Sequence, residues 1–177
     1  MASFDLIPYP AENLPHIKIT GDIEQAGTQL SARYTLSGEI NSILFPSTAI
    51  LPIRKHDLWK ATCFEFFIAP AGQPEYWEFN LSPSGNWNVY HMDAYRQVNM
   101  REEEKVTSLP FTFQKTDIQI NLEISVNTAS FLAANQKLEV GIAAIIQSNY
   151  KVETYWALAH PNPQADFHHR DGFVIAL

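Results

Sequence analysis

The stretch Asp117-Ile118-Gln119-Ile120-Asn121-Leu122-Glu123-Ile124-Ser125-Val126 alternates polar and apolar side chains without a break. Successive Cβ atoms of a strand point to opposite faces, so Ile118, Ile120, Leu122, Ile124 and Val126 share one face and the five polar residues share the other. The pattern predicts a strand with one buried and one wet face. Outward from it, residues 138–146 read Leu-Glu-Val-Gly-Ile-Ala-Ala-Ile-Ile, apolar on both sides after Glu139. That run predicts a central strand covered twice.

Period-two patterning predicts further strands at 16–24, 29–36, 62–69, 75–81, 87–92, 153–158 and 172–177, with a shorter one at 111–113. Residues 37–60 are irregular and contain Pro46 and Pro52, which predicts a long loop with one edge strand. A single short helical turn is expected at 127–134, capped by Asn127 or Thr128. Many short strands without alternating helices predict an all-β chain folded as a two-sheet antiparallel β-sandwich, jelly-roll-like in its connections. At 177 residues with 46% hydrophobic content, the chain supports one core, so residues 1–177 are expected to form one domain.

Twelve Lys and Arg against nineteen Asp and Glu give a formal charge of -7. This argues against nucleic acid or an anionic membrane surface as partner. No apolar run approaches the roughly 20 residues needed to span a bilayer. The first ten residues lack a basic region followed by a long apolar stretch, and the lone Cys63 cannot form an intramolecular disulfide, so a cytoplasmic location is expected. Nothing in the sequence assigns an oligomeric state.

The most informative segment for function is Tyr76-Trp77-Glu78-Phe79-Asn80-Leu81-Ser82-Pro83-Ser84-Gly85-Asn86-Trp87-Asn88-Val89-Tyr90-His91, which reads as a β-hairpin mixing aromatic and polar side chains. Rings beside Glu, Asn and His can stack on a ligand's face while hydrogen-bonding its edge, a combination suited to sugars and planar cofactors. By alternation Trp77 sides with Phe79 and Leu81 as a core ring, and Trp87 sides with Val89 and His91, opposite Tyr90. Trp59, at the end of a polar loop, is placed for stacking. Glu65 and Glu78 lie within apolar strands, where an ionised carboxylate must find a partner or its pKa rises. Arg96 is a candidate partner for either.

The same two carboxylates raise the alternative of a glycan-active enzyme. No Gly-rich phosphate loop, Gly-x-Ser-x-Gly elbow or His-Glu-x-x-His helix accompanies them, and no catalytic residue is assigned. Four histidines, His91, His160, His168 and His169, are scattered through the second half of the chain, and the last two would face opposite ways on a strand. No metal site is assigned. Haem held by Met92 or Met100 with His160 or His168 is a further alternative.

The strand Cys63-Phe64-Glu65-Phe66-Phe67-Ile68, the run Tyr76-Trp77-Glu78-Phe79-Asn80, Pro83-Ser84-Gly85 and the segment from His160-Pro161 to Phe173 together resemble the DOMON-like superfamily, especially domains similar to family 9 carbohydrate-binding modules. The resemblance covers Trp59 to the end most clearly. It implies a jelly-roll β-sandwich that binds sugars by aromatic stacking and polar contacts, or haem in the cytochrome branch. It also implies a site flanked by the Glu65 and Glu78 strands, with Trp87, Arg96 and Trp156 as contacts.

These readings together give a non-catalytic module for a carbohydrate or similar small polar ligand. Its expected ligand-binding residues are Trp59, Glu65, Glu78, Asn80, Trp87, Tyr90, Arg96, Trp156 and His160. No cofactor is assigned, with haem and calcium kept as alternatives. Trp87→Ala is expected to abolish binding and leave the fold intact.

Overall fold

The computed structural model describes residues 1–95 and 100–177. Arg96 therefore lies outside the described residues. In chain order the first strands are Ala2–Asp5 (β1), Ile7–Pro8 (β2), Ile17–Ala26 (β3), Gln29–Gly38 (β4), Cys63–Pro70 (β5), Tyr76–Leu81 (β6) and Trp87–Met92 (β7). They are followed by Arg101–Glu102 (β8), Phe111–Lys115 (β9), Gln119–Asn127 (β10), Leu138–Gln147 (β11), Glu153–Ala157 (β12) and Ile175–Ala176 (β13). Among the described residues they form two antiparallel sheets, ordered β1-β3-β4-β10-β9 and β2-β12-β11-β5-β6-β7-β8, with β13 joining β11. The architecture is the expected two-sheet β-sandwich.

Strand β10 shows how the alternation works. Ile120, Leu122, Ile124 and Val126 are buried against the second sheet, while Glu123, Ser125 and Asn127 are exposed. Only the start of the expected strand differs. A tight turn, closed by the Thr116 N–H donating to Gln119 O at 2.8 Å, takes up Asp117 and Ile118 and leaves Ile118 exposed. At 127–134 the expected single turn forms. The Leu132 N–H donates to Thr128 O at 2.8 Å, and Asn127 Oδ1 accepts from the Ala129 N–H at 2.9 Å. The 37–60 loop contains short 3-10 turns at Ile40–Ser42 and Leu58–Lys60, and Arg54 forms an isolated bridge to Trp87.

Between the sheets lie Ile19, Ile23, Tyr34 and Leu36 from the smaller sheet and Phe64, Phe66, Phe79, Val89 and Ile142 from the larger. Phe66 and Phe79, a cross-strand pair, stack at 4.3 Å with rings 9° apart. Such a pair adds about 0.5–1.5 kcal/mol beyond its buried area.

The larger sheet is covered on its other face as well. Strand β12 pairs with β11 at Ala143–Gln147 and β13 pairs with it at Glu139 and Val140, so the chain between them leaves the sheet and returns to it. This C-terminal strap brings Phe167 and Phe173 onto the outer face, against Phe67, Ala69, Tyr76, Tyr90, Met92, Ala143 and Ala157. Gly141 is required for that contact: a Cβ there would sit 2.8 Å from Phe173 Cδ1. Arg170 ties the strap down, donating from Nη1 to Gln73 O at 2.8 Å and from Nη2 to the Glu139 carboxylate. The expected strand at 172–177 is accordingly reduced to Ile175–Ala176. No helix among the described residues is long and apolar enough to cross a membrane.

Candidate functional site

Alternation along β5, β6 and β7 sends Phe64, Phe66, Trp77, Phe79, Leu81, Trp87 and Val89 into the sandwich core. The intervening residues go to the outer face. Register then lays them out in rows. Asn88, Asn80, Glu65 and Ala143 pair across β7, β6, β5 and β11, and Tyr90, Glu78, Phe67 and Gly141 form the next row. Glu65 and Glu78 are thus diagonal neighbours on one surface.

Above them is a cavity of about 220 Å³ bounded by Trp59, Ile145, Tyr155, Phe167 and His168, with Met100, Ala165 and Asp166 at its margin. Sites for drug-sized ligands occupy roughly 300–1,000 Å³, so this one suits a single small ring. Trp59 reaches it from the 3-10 turn that precedes β5 and meets Tyr90 edge-on at 5.8 Å. Asp166 is oriented by Tyr95, which donates to Oδ2 at 2.6 Å, and by the His168 N–H, which donates to Oδ1 at 3.1 Å.

The two floor carboxyls differ in their partners. Glu78 Oε1 accepts from Asn80 Nδ2 at 2.7 Å, and His168 Nε2 stands 3.8 Å from its other oxygen. His168 is itself held by the Tyr76 hydroxyl, 2.9 Å from Nδ1. Glu65 is 2% exposed, and its Oε1 has no hydrogen-bond partner among the described residues. Burial, and then the neighbouring Glu78 carboxylate, push the Glu65 carboxyl well above its ordinary range. Burial also raises Glu78, but His168 and the Asn80 amide pull it back. Burial of two neighbouring carboxyls thus favours a protonated form of the pair.

A hydrogen-bonded network lies on the same face along β7. The Asn88 amide donates to Tyr90 Oη at 2.9 Å and to Glu102 Oε1 at 2.8 Å, and His56 Nδ1 lies 3.0 Å from the Tyr90 hydroxyl. Burial raises the Tyr90 phenol, which stays protonated and able to donate.

The structure brings Trp59, Glu65, Glu78, Asn80 and Tyr90 together on this face. Trp87 and Trp156 lie in the sandwich core instead, because alternation places them with Val89 and Thr154 on the inner side. Trp87 carries the Arg54 guanidinium 4.6 Å from its ring centre, and Trp156 donates to Thr154 Oγ1 at 3.0 Å. His160 turns to the sheet edge, where Nε2 lies 2.9 Å from Ile7 O. Of the Met and His residues considered for haem, Met100 and His168 both line the cavity, while Met92 is buried in the outer-face apolar cluster. Among the described residues no group of three or more His, Cys, Asp or Glu side chains is placed to hold a metal ion.

The walls Tyr155, Phe167 and Asp166 were not among the expected site residues. Tyr155 was hidden by the expectation of Trp156 as a contact, since neighbours on a strand face opposite ways and Trp156 lies in the core. Phe167 and Asp166 reach the cavity only because the strap folds back, a long-range event without local periodicity.

No family model matches this chain, and no curated protein matches it in sequence. Its fold is similar to that of a proposed carbohydrate-binding protein from Bacteroides uniformis ATCC 8492, with a TM-score of 0.67 and 14% identity over 97% of this chain and 83% of that one. A family 9 carbohydrate-binding module from Caldicellulosiruptor kristjanssonii, in complex with glucose, aligns with a TM-score of 0.44 and 6% identity over 82% of this chain and 69% of that one. At 14% identity the likeness to the B. uniformis protein is one of fold.

Proposed function

We propose that this protein is a non-catalytic carbohydrate-binding domain whose site is the outer-face cavity over Glu65 and Glu78. The observation that carries the reading is the bare, buried Oε1 of Glu65 at the base of an aromatic-walled cavity of one-ring size. An unsatisfied buried oxygen costs about 1–3 kcal/mol, a cost that a ligand hydroxyl reaching the floor removes. Trp59 offers the apolar face of a sugar a stacking surface, and Glu78, Asp166 and His168 supply polar edges. The role proposed for the B. uniformis protein of the same fold is in keeping with this reading, as is the DOMON-like resemblance of the Glu65 and Glu78 strands.

Binding fits the geometry better than glycan cleavage. Glycosidases place their acid and their base or nucleophile on either side of the scissile bond, whereas Glu65 and Glu78 project from adjacent strands of a single wall. A thermal-shift and calorimetric panel of monosaccharides and short oligosaccharides tests the proposal, because a native-state ligand at about 100 times its Kd adds about 2.7 kcal/mol of stability. A sugar is expected to raise the midpoint of the native protein and not of Trp59→Ala. Absence of a shift with every sugar contradicts the reading.

A further inference from the structure

The floor of the cavity indicates which carbohydrates fit it. Its polar groups are a carboxyl without a hydrogen-bond partner at Oε1, Glu65, and a second carboxyl, Glu78, with one amide partner. No Lys or Arg lines the cavity among the described residues. Two buried carboxyls side by side repel when both are ionised, and an ammonium group between them would satisfy both with charge-assisted hydrogen bonds. The walls suit the same group, since they include the aromatic rings of Trp59 and Tyr155, and aromatic faces attract an alkylammonium. A hard metal ion fits less well, as calcium takes six to eight oxygen ligands and most of this lining is carbon.

We propose that the cavity selects a sugar bearing a protonated amine, a hexosamine, with its ammonium seated on Glu65 and Glu78 and its ring against Trp59. This rests on the carbohydrate reading above and narrows it to a cationic class. The ammonium takes the place of the proton that burial favours on the carboxyl pair in the free protein.

The proton exchange has a direction. Among the described residues, the groups around the pair are Cys63 on β5, Tyr76 and Tyr90 on β6 and β7, Tyr155 on β12, His168 and Asp166 on the strap, and, from the core side, Tyr34 on β4, whose hydroxyl donates to the Glu65 backbone carbonyl. Burial pushes the thiol and the four phenols up, so they remain protonated. Seating a cation converts the carboxyl pair to its ionised form and releases a proton, so hexosamine affinity rises with pH until the amine itself loses its charge. Neutral sugars lack this dependence.

The test is calorimetric titration of the full chain with glucosamine, glucose and ethanolamine at about pH 5 and about pH 7, a range across which an ordinary carboxyl is ionised. Glucosamine is expected to bind about tenfold or more tightly than glucose at the higher pH, in line with the doubled strength of charge-assisted bonds, and to weaken at the lower. Glu65→Gln should erase the preference, with circular dichroism confirming the fold and Glu78→Gln as a second variant. Equal affinity for glucosamine and glucose overturns the cationic selectivity and leaves the carbohydrate reading standing. Binding of ethanolamine with neither sugar keeps the cation seat and overturns the carbohydrate reading. Failure of all three overturns both.

Discussion

The two faces of the larger sheet are both buried, yet they are built of different chemistry. The inner face of β5 and β6 carries Phe64, Phe66, Ile68, Trp77, Phe79 and Leu81, which pack into the apolar core, with one polar contact where the Trp77 indole N–H donates to Glu103 Oε2. On the outer face of the same strands are Cys63, Glu65, Phe67, Tyr76, Glu78 and Asn80, all likewise shielded from solvent. Burial therefore does not separate structural from functional positions in this fold. What separates them is the cost of burial, which is low for the phenylalanines and substantial for a carboxyl that lacks a partner. A polar residue kept in such a place points to something that approaches from the cavity side.

Substitutions on the two faces should behave differently. The largest effect is expected on the inner face: Phe66→Ala removes one ring of the Phe66–Phe79 stack and should cost about 3–5 kcal/mol in chemical denaturation. A loss near the ordinary surface value would mean that the sheets are not packed through these rings. Trp87→Ala should also act on stability, by several kcal/mol, because Trp87 is 6% exposed and covered by Arg54. This replaces the sequence-based expectation that the same substitution leaves the fold intact. Trp59→Ala is its counterpart on the outer face. It should cost on the order of 1 kcal/mol in stability while eliminating ligand binding, and the reverse assignment of the two tryptophans by calorimetry would break the comparison.

A smaller effect should appear in the pH dependence of stability. In the unfolded chain Glu65 and Glu78 ionise near the ordinary value of about 4.3. In the folded protein burial makes both hold their protons to higher pH. The folded state then binds more protons than the unfolded state from the ordinary carboxylate range upward, so stability falls as pH rises through that window. Glu65→Gln keeps the shape and removes the ionisation. It should flatten that fall and stabilise the ligand-free protein at neutral pH by on the order of 1 kcal/mol in urea titrations. A variant less stable than the parent at neutral pH would show that the Glu65 carboxylate is compensated in the native state.

The sequence was legible where one local rule decided the outcome. Alternation located β4, β10 and β11, and it placed Trp77 in the core. It also paired Glu78 with Asn80 and Glu65 with Phe67 on their own strands, and the register of the sheet brings the two carboxyls to one face, where they line a cavity with Trp59. Trp87 and Trp156 were expected as contacts through resemblance, although period-two geometry already set Trp87 apart from Tyr90. The strap was the hidden part. Its seat on Gly141 and the tether of Arg170 link residues far apart in the chain, and no local pattern encodes that return.

The central claim, that the outer-face cavity is the ligand site, is tested most directly by following backbone and side-chain amide signals in a nuclear magnetic resonance titration with a bound sugar. The account predicts shifts concentrated at the Trp59 indole, the Asn80 side-chain amide and the backbone of Phe167 and His168, with the Trp87 and Trp156 indoles unmoved. Shifts confined to the smaller sheet, or to the edge beyond β7, with Trp59 and Asn80 silent, would contradict it.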